Sequence, residues 1–140
     1  MAVEARPAVI ELKIPCRPEF VGVARLAILG IASRMHFSYD EVEDVRLAVG
    51  EACTTAVERA VKAKKTDTNL SIRSEIVDSK LIVEVQDQVG LMPEPPEAVE
   101  SAEELDEQGL GALLMELLVD EFNVESVGGG TLVRMVKYAG

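Results

Sequence analysis

A chain of 140 residues with 48% hydrophobic and 28% charged side chains has the composition of one folded globular domain, large enough to bury a core without disulfides or structural metal. Its formal net charge of −11, from 25 acidic and 14 basic residues, repels nucleic acid and anionic membrane and favours a basic protein partner. No apolar run approaches the roughly 20 residues that cross a bilayer, and residues 1–9 lack the basic-then-apolar order of a secretory signal, so the expected location is the cytoplasm.

In chain order, Ile10, Leu12 and Ile14 alternate with Glu11 and Lys13, the period of a half-buried strand that Pro15 and Pro18 end. Phe20, Val23, Ala24, Ala27, Ile28 and Ile31 then form a helical stripe with Pro18 in its first turn. Ser38 and Glu41 make a capping box before a second helix, whose Val42, Val45, Val49, Ala52, Ala56 and Ala60 recur at three or four residues as far as Lys62. Acids crowd its first turns and lysines follow its end, which complements the helix dipole.

Asn69–Val77 and Lys80–Asp87 read as a hairpin turning at Asp78 and Ser79. The first strand is free to join that sheet, but its pairing is not legible. Val89–Gln108 carries three prolines and many acids without an apolar period, and is predicted to be a long loop. A third helix opens at Gly109, Leu110 and Gly111, carries Leu113, Leu114, Leu117 and Leu118, and ends near Asp120. Phe122–Val127 and Thr131–Tyr138 are strands reversed across Gly128, Gly129 and Gly130. Helices interleaved with antiparallel hairpins predict an α+β fold, a two-layer sandwich spanning 1–140 as a single domain.

Cys16 and Cys53 have no metal-ligand spacing and read as reduced thiols. His36 is the only histidine, so neither a Ser/His/Asp triad nor a zinc site has support. Glu51 and Thr55 are four apart, about 6 Å along the second helix and on one face of it. Counted from the stripe of Val49 and Ala56, that face is expected to point away from the main core seam. Arg59 lies one turn further, and its bland reading is a surface arginine paired with Glu58 or with neighbours of Glu51.

The stretch LAVGEACTTAVERA, the strand LIVEVQDQVG, the segment EQGLGALLMELLVDEFNV and the closing GGGTLVRMVKYAG cover almost the whole chain. In order and spacing they resemble the small ATP-binding anti-sigma regulators of the RsbW type, a branch of the histidine-kinase/Hsp90-like ATPase superfamily. The resemblance implies the Bergerat ATP-binding fold, a mostly antiparallel sheet covered by about three helices. It implies Glu51 as the catalytic acid/base, Thr55 at the Mg²⁺ position and Asp87 as acceptor of the adenine amine. Gly90 would belong to the first glycine box, and the backbone around Gly109, Leu110 and Gly111 would face the phosphates at a helix N-terminus. Arg59 would supply compensating charge.

The function so implied is an anti-sigma factor that dimerises, binds an alternative sigma factor and uses ATP and Mg²⁺ to phosphorylate a serine of a STAS-domain antagonist. The alternative on the same fold is a partner-binding regulator without ATP turnover. Three features depart from the family pattern. Thr55 stands where the family has Asn, Val89 and Leu91 stand at glycine positions, and seven acids between Glu94 and Glu107 precede the glycine turn. Like charges that close are not fully screened from a nucleotide triphosphate.

Overall fold

The computed structural model describes residues 8–88 and 107–139, with backbone alone for 107–109. Its elements are β1 (Ala8–Pro15), a 3-10 turn (Pro18–Phe20), α1 (Val21–Ala32), α2 (Tyr39–Lys62), β2 (Asn69–Val77), β3 (Lys80–Gln86), α3 (Glu107–Leu118), β4 (Glu121–Val127) and β5 (Gly130–Tyr138). The predicted element order holds throughout. Of the segment read as a long loop, Val89–Gln108, residues 89–106 lie outside the described residues, and Glu107 and Gln108 belong to α3.

The five strands form one antiparallel sheet in the order β1-β2-β3-β5-β4, which answers the open question of the first strand: it pairs with β2, Ile14 opposite Leu70. Both hairpins close over two residues, and the chain reaches positive φ at Asp78, Gly128 and Gly129 to do so. α2 packs between α1 and α3, and the three helices cover one face of the sheet. Ile28, Leu70, Leu81, Val83, Val85 and Met135 are fully buried between the layers, and truncating one such side chain to Ala costs about 2–5 kcal/mol.

α2 begins as its sequence dictates. Ser38 Oγ accepts from the Glu41 backbone N–H at 3.1 Å, and Glu41 Oε1 accepts from the Ser38 N–H at 2.7 Å. At the far end of the layer, Lys137 Nζ donates to the Leu118 carbonyl at 2.9 Å and lies 3.5 Å from Asp44, tying β5 to α3 and α2.

Two helical stripes differ from expectation. In α1 the buried residues are Val21, Ala24, Ile28, Ile31 and Ala32, while Val23 faces solvent and Phe20 belongs to the 3-10 turn. In α3, Leu110, Leu113, Leu114 and Leu117 are exposed and Gly111, Met115 and the following Val119 are buried. That helix is apolar around most of its circumference, so periodicity could not choose its inner face.

The other face of the sheet is open. There Arg73 lies 3.7 Å from Glu11 and 3.6 Å from Glu84 on the flanking strands, and Arg134 stands opposite Glu84 in register. Such half-exposed pairs contribute about 0–1 kcal/mol each. Among the described residues no helix is long and apolar enough to cross a membrane.

Candidate active site

Glu51, Thr55 and Arg59 occupy successive turns of α2, on the side that faces α3 and the sheet. The sequence had turned this face away from the core. In the structure Thr55 is buried, because α2 has two seams and the second is made with α3 rather than α1.

Glu51 is half-buried against Gly111. A Cβ added to Gly111 would strike the Glu51 carboxylate oxygen, with Glu51 Cδ and Cγ at 3.2 and 3.3 Å from the same point. Glycine here lets the backbone of α3 approach the acid closely. Gly109, Leu110 and Gly111 all lie in the first five residues of α3, where the leading N–H groups have no partner inside the helix and the dipole is positive. Glu51 and the N-terminal part of α3 therefore meet at the seam between α2 and α3. Gly90 lies outside the described residues.

Asp87 follows β3 and is fully buried. Its backbone N–H donates to the Thr131 carbonyl at 3.0 Å, and its Oδ1 accepts from the Thr131 N–H at 3.2 Å. Arg59 Nη2 donates to Oδ2 of the same carboxylate. This corrects the bland reading of Arg59: its partner is Asp87, 28 residues on, and not an acid of its own helix. Sequence reasoning also missed Thr131 and Gly130. A Cβ on Gly130 would collide with the Asp87 carbonyl, so the glycine run does more than turn the chain. Its excess over a two-residue hairpin turn was the only signal.

Thr55, Arg59, Ala52, Ala112, Met115, Val124 and Val133 line a cavity of about 110 Å³ between α2, α3 and the sheet. A larger groove of about 490 Å³ lies on the open sheet face, around Glu11, Lys13, Arg73, Glu84 and Gln86. It contains none of the site residues, and chemistry points to the smaller one. Cys16 borders this region, its Sγ 3.8 Å from the Ala56 carbonyl oxygen. Burial pushes its thiol pKa up, the Asp87 charge adds to that and Arg59 opposes it. Cys53, deeper in α2, is pushed up to about 12 by burial. Both cysteines are free.

Among the described residues no group of three His, Cys, Asp or Glu side chains could hold a metal by itself. Mg²⁺ bound together with phosphates needs only one or two protein oxygens, with waters completing its shell. The Thr55 hydroxyl, on the cavity wall between α2 and α3, is chemically able to supply one such oxygen.

The sequence model of the family described as the histidine kinase-like ATPase domain matches residues 14–137. The chain is 43% identical over 139 residues to a protein named serine-protein kinase RsbW from Bacillus licheniformis, covering 92% of this chain and 84% of the relative. The protein of the same name from Bacillus subtilis is also 43% identical with the same coverage, and that from Listeria innocua is 36% identical, over 92% of this chain and 86% of the relative. Among solved structures, the RsbU and RsbW domains of a Mycobacterium tuberculosis protein superpose with a TM-score of 0.70 at 14% identity. That match covers 94% of this chain and 32% of the other, and it supports the α+β fold alone. The closely approached Glu51, the glycine-led α3 and the extent of these matches place the chain in the RsbW-type branch of the histidine kinase-like ATPase family.

Proposed function

We propose that this protein is an ATP-dependent serine-protein kinase of the anti-sigma type, which holds a sigma factor and phosphorylates a serine of a STAS-domain antagonist. The observation that carries the proposal is the packing of Glu51 against Gly111. It sets a carboxylate one turn into a helix whose leading N–H groups have no partner inside the helix, so a proton acceptor and an anion site share one seam.

Mg²⁺-ATP, when bound, supplies the transferable phosphoryl group. Glu51 accepts the proton of the attacking serine hydroxyl, and its position against α3 keeps it directed at that hydroxyl. The leading backbone N–H groups of α3, around Gly109 and Leu110, would hold phosphate oxygens, and Gly111 lets the backbone come close to Glu51. Thr55 offers its hydroxyl oxygen to the metal. Asp87 reads the base by accepting from the adenine amine. The Thr131 backbone N–H donates to that carboxylate, and the Thr131 carbonyl accepts from the Asp87 backbone N–H. Phosphoryl transfer of this kind depends mainly on positioning and charge.

The partners follow from the family membership and from charge. A surface at −11 attracts a basic sigma-factor region and speeds its encounter, and a homodimer in the cytoplasm is part of the same reading. The decisive experiment incubates the protein with Mg²⁺-ATP and a STAS-domain antagonist and follows the serine by mass spectrometry, beside a Glu51→Ala variant. Phosphate on the serine with wild type and none with the variant is the expected result. A sigma complex that forms without any phosphoryl transfer would overturn the kinase reading and leave a binding regulator.

A further inference from the structure

Arg59 has an unusual set of neighbours for a helix-borne arginine. Its side chain is 12% exposed, it grips the Asp87 carboxylate through Nη2, and its Nε is buried with no hydrogen-bond partner. A buried donor left unmade costs on the order of 1–3 kcal/mol. The guanidinium accepts that cost because its orientation is set by Asp87, which is itself held from behind by both backbone groups of Thr131.

The cavity at the α2–α3 seam is lined by Arg59 and not by Asp87. The carboxylate is 1% exposed, so the guanidinium stands between it and the space a ligand would enter. At about 110 Å³ that space is well below the roughly 300 Å³ at which ligand pockets begin. Besides Arg59, Thr55 is the one polar residue of its lining; the others, Ala52, Ala112, Met115, Val124 and Val133, are apolar and suit the faces of a flat ring.

We propose that Arg59 is the affinity- and base-specificity-determining residue of this site, because its guanidinium occupies the place at Asp87 that the amine of adenine would take. The proposal rests on the reading of Asp87 as the base contact. Nucleotide enters only when the guanidinium leaves, and the ion pair broken on entry is subtracted from the binding free energy. Removing the guanidinium vacates its place beside Asp87 Oδ2 and enlarges the cavity. The gain is selective for a base with an amine at the six position, since a keto oxygen there meets a carboxylate as acceptor against acceptor. This runs opposite to a phosphate-binding role for Arg59, in which loss of its positive charge weakens every nucleotide alike.

The test is titration calorimetry of ATP and of ITP, which carries the keto base, into the full chain as wild type, Arg59→Gln and Arg59→Ala, with a melting curve of each. Arg59→Ala takes the guanidinium away from a buried carboxylate and risks unfolding; Arg59→Gln keeps an amide in the cavity and preserves a folded comparison. We expect both variants to bind ATP roughly tenfold or more tightly than wild type, with a smaller change for ITP. Tight ATP binding by wild type, unimproved in the variants, overturns the role of Arg59 while leaving the kinase reading intact. Equal gains for ATP and ITP overturn the base-reading part. No binding by any of the three overturns both this inference and the nucleotide site on which it rests.

Discussion

The carboxylate of Glu51 rests against the Cα of Gly111, two residues 60 positions apart that meet where α2 and α3 touch. Gly111→Ala gains about 0.5–1 kcal/mol of helix propensity and drives the new methyl into the Glu51 side chain, which swings aside. Melting temperature should therefore change little. Phosphoryl transfer should fall by about a hundredfold, since displacement of a catalytic group by about 1 Å has that effect. Unchanged turnover would remove Glu51 from the reaction.

Gly130→Ala makes the opposite distinction. Its Cβ meets the backbone carbonyl of Asp87 and comes within 3.3 Å of Gln88 Cα, and backbone cannot rotate away as a side chain does. We expect a loss of about 2–3 kcal/mol in chemical denaturation, at the upper end of overpacking costs. A variant as stable as wild type would show that β3 and β5 are less tightly apposed at this point.

Much of this was legible in the sequence. The Ser38–Glu41 box, the two hairpins and the order of elements are local signals, and each appears where its residues placed it. The partner of Arg59 was not legible, because it is set by how α2 crosses the end of β3 and no local period records that. The inner face of α3 escaped for a related reason: leucines ring the helix, and the choice falls to Gly111 and Met115 only once Glu51 and the sheet are in place.

Thr55→Asn lengthens the polar side chain at the predicted metal position while keeping it neutral. Nucleotide affinity in the presence of Mg²⁺ should rise several-fold, with little change when the metal is chelated. Calorimetry with and without Mg²⁺ checks this, and equal affinities in both conditions would take Thr55 out of the metal site.

Cys53 gives a dependence on pH with a definite sign. Its thiol ionises near 9.0 in the unfolded chain and near about 12 in the folded one, so the folded state holds the proton more tightly. The contribution is fully present below pH 9 and is lost as pH rises toward 12. Denaturation midpoints measured from pH 8 to 11 should decline, and Cys53→Ser, whose hydroxyl does not titrate there, should flatten the decline. At pH 8 neither thiol should react with a disulfide reagent until the protein is unfolded, because Cys16 is also fully buried.

The order β1-β2-β3-β5-β4 also governs how the molecule assembles. The β2–β3 and β4–β5 hairpins can each zip from a two-residue turn, but Ile14 must find Leu70 and Gln86 must find Leu132 across long stretches of chain. Pairings of that separation spend loop-closure entropy before any contact repays it, and they slow folding. Stopped-flow refolding should accordingly be limited by these two seams, with substitutions at Ile14 or Leu132 slowing it more than changes at Gly129. Asp87 and Thr131 lie at the end of the second seam, so the groups that would read a base come together only when the whole sheet has closed. A nascent or truncated chain, however helical, would carry no nucleotide site at all.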